Sequence, residues 1–177
     1  SMRLYQFPLG VFGLAVATAV LPLLSKHAED PGQFGSVLRR GMRLSLFIGL
    51  PASLGLVLVR EPIVTTLFSG SRTSFDAEGI ARATRVLTGF APGVWAYSLN
   101  HVLTRAFYAR GDTRTPMMVS MSMVLLNLVL NLALIWPLRE AGLAWATGGS
   151  AMIQTVILGV LVRRRHGVLA VDGPTLR

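Results

Sequence analysis

Arg3 stands at the edge of a charge-free apolar run, with Tyr5, Gln6 and Pro8 close behind it. A cation in that position has two readings. If its helix starts upstream, the guanidinium lies in the hydrocarbon zone, where a charge is retained for an anionic partner or a wet cavity. Taken alone, the residue fits more simply as an interfacial arginine whose long side chain reaches back to water. Asn127 and Asn131, four apart, share one helix face, and Gln154 is a lone amide in another apolar stretch. Such amides line a polar path or, more commonly, hydrogen-bond between helices. His27, His101 and His166 share no metal-ligand spacing, so no metal or other cofactor is expected. With no cysteine there is no disulfide, thiol nucleophile or thiolate metal site. No nucleophile and base pair, phosphate-cradling glycine loop or pair of carboxylates stands out, so the chain does not read as an enzyme.

The elements that must position these residues are legible from charge. Leu4–Ser25, Leu44–Val59, Val86–Thr104, Thr115–Leu138 and Ala141–Val162 contain no Asp, Glu, Lys or Arg. A helix rises about 1.5 Å per residue, so about 20 apolar residues cross a hydrocarbon core of about 30 Å. Hydrophobic residues make up 52% of the 177, charged residues only 14%, and mean hydropathy is +0.57. Soluble domains carry about a quarter charged residues. The chain therefore reads as all-α, a polytopic membrane helix bundle of five spans at about 4–24, 41–59, 86–107, 116–137 and 142–162. Residues 1–166 form the bundle and 167–177 a cytoplasmic tail or inter-helix loop. The first run lacks a basic leader and a small-residue cleavage site, so it reads as a span rather than a cleaved signal.

Local signals refine the boundaries. Pro22 is expected to bend or end the first span, and Gln33–Arg43 to form an interfacial helix leading into the second. Pro51 should kink that second span. Glu78 and Arg82, four apart, mark an amphipathic helix that runs straight into the third span, which contains Pro92, Gly93, Asn100 and His101. Thr115 followed by Pro116 predicts an N-cap and first helical position for the fourth span. Trp136 and Pro137 close it.

The net charge of +9 would suggest nucleic acid in a soluble protein, but its distribution follows topology. Ten basic residues follow the first, third and fifth spans: Lys26, Arg39, Arg40, Arg43, Arg105, Arg110, Arg114, Arg163, Arg164 and Arg165. Five lie on the opposite side: Arg60, Arg72, Arg82, Arg85 and Arg139. The positive-inside rule puts the first group in the cytoplasm. No nucleic-acid partner is expected. A short echo, Gly13–Thr18 against Gly142–Thr147, fits either a repeated unit or convergent helix packing.

Three separated motifs carry a resemblance. Arg3-Leu4-Tyr5-Gln6-Phe7-Pro8-Leu9-Gly10-Val11-Phe12-Gly13, then Ala17–Ser25, then Phe107-Tyr108-Ala109-Arg110-Gly111-Asp112-Thr113-Arg114-Thr115-Pro116, together resemble the MurJ (MviN) lipid II flippase family. That family belongs to the multidrug/oligosaccharidyl-lipid/polysaccharide exporter superfamily. The resemblance covers nearly the whole chain and implies helices eight to twelve of fourteen, most of the second of two lobes around a central cavity. It implies that Arg3, with Gln6 in the same motif, faces a cationic cavity and engages the pyrophosphate of the lipid-linked substrate. A guanidinium fork suits that anion. The first-lobe cavity residues of the family have no counterpart here.

The implied function is translocation of lipid II, the undecaprenyl-pyrophosphate-linked muropeptide, between leaflets of the bacterial cytoplasmic membrane. The implied partners are lipid II, membrane lipids and the remaining helices of a larger transporter. Phe107–Pro116 would serve as a cytoplasmic hinge or anchor, with Asp112 near Arg110 and Arg114. Pro51, Pro92 and Gly93 would either permit bending or mark packing kinks. No carboxylate lies inside an apolar run, so no ion-coupling site is visible. The alternatives are another exporter of the superfamily, carrying a different lipid-linked sugar or a drug, and a non-transporting membrane protein that binds lipid or organises a complex.

Overall fold

The computed structural model describes residues 14–68, 77–138 and 140–166. Every element in these stretches is helical: α1 (Leu14–Lys26), α2 (Pro31–Leu58), α3 (Arg60–Phe68), α4 (Ala77–Phe90), a 3-10 turn (Ala91–Gly93), α5 (Val94–Ala109), α6 (Arg114–Leu138) and α7 (Glu140–His166).

Capping chemistry explains where α2 begins. The Asp30 carboxylate accepts the Gly32 and Gln33 amides at 2.9 and 3.1 Å, and Pro31 occupies the first turn, where a missing amide costs nothing. Residues 33–43 are the first part of this one 28-residue helix rather than a separate interfacial element. Its buried stripe, Phe34, Leu38, Gly41, Ser45, Gly49, Ser53 and Leu56, follows the three-and-four spacing that puts side chains on one face. The helix continues through Pro51, and α1 continues through Pro22 to Lys26. Each proline removes one backbone bond, yet packing of the next turn holds the helix: Leu24 has no solvent exposure.

α5 is the hub, packed against α1, α2 and α7. One apolar cluster joins Ala17, Leu24, Phe34, Leu38, Leu103, Phe107 and Leu158 from those four helices. A second joins Leu56, Val64, Leu87, Phe90, Val94 and Ala144 at the other end. α6 packs mainly on α7 and leaves most of its surface exposed, including Met121 at 68% and Val124 at 71%.

The third span differs from expectation. α4 does not run straight on: it ends at Phe90, a 3-10 turn follows, and α5 starts at Val94. Pro92 cannot donate to the preceding turn, and the break is buried, with Ala91 and Gly93 inside. Among the described residues three helices are long and apolar enough to cross a membrane: Pro31–Leu58, Arg114–Trp136 and Glu140–Arg165. The expected span 86–107 is divided by the turn, and the expected first span begins outside the described residues.

Candidate functional site

Arg3 and Gln6 lie outside the described residues. Of the three amides that could line a polar path, two join helices and the third supports one of them. Asn127 on α6 donates to the Ser150 hydroxyl on α7 at 3.1 Å, and Asn131 donates to the Asn127 carbonyl oxygen at 2.9 Å. Gln154 on α7 donates to the Ser120 hydroxyl on α6 at 3.2 Å. The Asn127 and Gln154 contacts form a seam along the α6–α7 interface, with Asn131 bracing Asn127 from one turn along α6 itself; joining helices is the commoner of the two roles that such residues play inside a bilayer.

A second seam joins α5 to α7, and sequence reasoning gave it no role. The buried Asn100 donates to the Ala151 carbonyl at 3.1 Å, and the Thr155 hydroxyl donates to Asn100 Oδ1 at 3.0 Å. The Tyr97 hydroxyl donates to the Thr147 carbonyl at 3.1 Å. On the far side of α5, the Trp95 amide donates to the Ser53 hydroxyl of α2 at 3.1 Å. A polar residue in a charge-free run was the available signal; the partner, about fifty positions along the chain, was not.

The Phe107–Pro116 motif is a built junction. Phe107 is fully buried in the core cluster, and the Arg110 guanidinium lies 4.1 Å from the centre of the Phe34 ring on α2. Gly111 adopts φ +73°, the left-handed region where a side chain is strained, and turns the chain toward α6. Asp112 then accepts from the Thr115 amide at 3.0 Å and the Thr115 hydroxyl at 2.7 Å. Asp112, not Thr115, is therefore the residue that caps α6. The helix starts at Arg114, and Pro116 falls in its first turn, as a proline should.

A cation from far along the chain also reaches Asp112. Arg165, at the end of α7, donates to Asp112 Oδ2 at 2.9 Å and to the Thr115 hydroxyl at 2.7 Å. The Thr115 hydroxyl and amide, with the Arg165 cation, hold the Asp112 carboxyl below its ordinary range. The motif thus ties α2, α5, α6 and α7 together at the basic end, which is the behaviour of an anchor.

At the opposite end Arg82 pairs with Glu78 on α4 at 2.5 Å and reaches Glu140, the first residue of α7, at 3.6 Å. The Glu78 carboxyl is lowered by its hydrogen bond to Arg82. Glu140 and Arg165 are separated by about 38 Å of helix rise, so the interhelical ion pairs sit at the two ends of α7 and hydroxyls and amides fill the middle. Charges at the ends with neutral hydrogen bonds between them suit a helix that crosses a bilayer. Among the described residues no group of three or more His, Cys, Asp or Glu side chains is placed to hold a metal ion.

Helices of membrane-crossing length, joined by neutral polar seams, define a multi-pass α-helical membrane protein. The sequence profile of the lipid II flippase MurJ family matches residues 1–174. The chain belongs to this family, which resides in the bacterial inner membrane. The probable lipid II flippase MurJ of Vibrio cholerae is 36% identical over 160 residues, covering 89% of this chain and 30% of that relative. Its counterpart in Thermotoga maritima is 35% identical over 158 residues, covering 89% and 32%. The lipid II flippase MurJ of Burkholderia cenocepacia is 28% identical over 165 residues, covering 92% and 32%. A solved structure of lipid II flippase MurJ in an inward closed conformation shares the fold, with a TM-score of 0.84 over 92% of this chain and 34% of that one at 23% identity. The chain spans about a third of the length of the relatives it matches.

Proposed function

We propose that this chain is part of the second lobe of a transporter that carries lipid II from the inner to the outer leaflet by alternating access. The observation that carries the reading is the family match over residues 1–174. The anchored junction at Phe107–Pro116 supports it, because a lobe that rocks as a unit needs its helices tied at the ends. The role is transport rather than catalysis. Within it, Arg3 meets the substrate pyrophosphate through its guanidinium fork, and Gln6, three residues on in the sequence, adds a neutral hydrogen-bond donor. The remaining walls of the cavity come from other helices of the complete transporter.

Lipid II binding to the complete transporter, read by native mass spectrometry with Arg3 intact and as Arg3→Ala, tests the assignment. Losing one charge-assisted bidentate contact should weaken binding by about tenfold or more. Unchanged binding would return Arg3 to the role of an interfacial anchor.

A further inference from the structure

The outer face of α2 is built like a binding surface for an amphiphile. An open groove of about 640 Å³ runs along it, lined by Ser36, Arg39, Arg40, Arg43, Leu44 and Phe47. Among the described residues no carboxylate lines it. Residues 36, 40, 43 and 47 fall on one stripe at three-and-four spacing, opposite the buried stripe of Phe34, Leu38, Gly41 and Ser45. Beyond Phe47, which is 78% exposed, the same stripe continues through Leu54 at 63% and Leu58 at 79%. The helix therefore presents cations at one end of a face and an uninterrupted apolar strip along the rest.

We infer that this face binds an anionic phospholipid of the cytoplasmic leaflet, with its phosphate between Arg40 and Arg43 and an acyl chain along Leu44, Phe47 and Leu54. Charge complementarity selects the occupant. Guanidinium forks pair with phosphate oxygens, and the strip next to them matches a hydrocarbon chain in direction and depth. Arg40 and Arg43 stand one turn apart, so one phosphate can meet both. The groove lies on the side of α2 that turns away from α1 and α5.

The complete transporter, purified and exposed to equimolar phosphatidylglycerol and phosphatidylethanolamine, tests this by native mass spectrometry. Phosphatidylglycerol should be retained preferentially, and Arg40→Gln with Arg43→Gln should reduce that preference by about tenfold or more. Arg163→Gln with Arg164→Gln, at the other basic cluster, should leave it intact. Equal retention of the two lipids, or equal losses in both double variants, would overturn the assignment. So would displacement of the lipid by millimolar inorganic phosphate, because the apolar strip would then contribute nothing. A photoactivatable phosphatidylglycerol needs no substitution: cross-links should fall on residues 36–54, and cross-links confined elsewhere would refute the site. Neither readout depends on lipid II, so failure here leaves the transport reading standing.

Discussion

Asp112 does three things with one carboxylate: it caps α6, fixes the Thr115 hydroxyl and receives Arg165 from the end of α7. Its folded-state pKa is lowered, so unfolding at acid pH is accompanied by proton uptake. Its stabilising contribution is complete above the ordinary carboxylate range of about 4 and is lost as pH falls through the lower folded value. Asp112→Asn keeps an oxygen to cap α6 but loses the charge, and should therefore cost about 0.5–1 kcal/mol, the usual worth of a partly exposed ion pair. Thermal unfolding of the purified transporter should show a gap between the parent and this variant that is constant from pH 8 to pH 5 and closes below about pH 4. A gap that ignores acid would show that the carboxylate charge is not what stabilises the junction. The capping signal at Thr115 and Pro116 was readable to within a turn. Arg165 was not, because nothing local links positions 53 residues apart.

At the scale of elements, the break between α4 and α5 depends on close backbone approach. A Cβ placed on Gly89 would come within 2.7 Å of the Ala144 Cβ, one on Gly93 within 3.0 Å of the Gly148 Cα, and one on Gly148 within 2.9 Å of the Gly89 carbonyl oxygen. Small residues four apart on one side thus face small residues four apart on the other, the arrangement by which membrane helices gain van der Waals contact. Gly89→Val should force α4 away from α7 and cost about 1–3 kcal/mol. Gly159→Ala, on α7 with nothing near the added methyl, should not lower the melting temperature. Equal stability of the two variants would show that the α4–α7 contact is loose. This tight packing favours the packing-kink reading of Pro92 and Gly93. Pro92 and Gly93 marked a kink here, but the charge-free run 86–104 read as one continuous span because hydropathy does not register a buried turn.

At the scale of the molecule, α5 is enclosed by α1, α2 and α7, whereas α6 buries little beyond its seam with α7. A path for a large polar headgroup needs walls on all sides, because an unsatisfied polar or charged group facing hydrocarbon costs several kcal/mol. The 177-residue chain reconstituted alone should therefore give no lipid II flipping above that of protein-free vesicles, in an assay where the full-length protein flips; activity from the chain alone would refute the shared-cavity reading. The all-helical membrane class was determined by the sequence itself. It depends on hydropathy and on the fixed rise of a helix, and both act over a single element. Tertiary structure decided which polar groups meet. Asn100 finds Ala151 and Thr155, Asp112 finds Arg165, and Gly89 finds Ala144. Each pairing depends on how helices from separate parts of the chain are rotated and set in depth against one another, and hydrogen bonds and close contacts are met only when both are right.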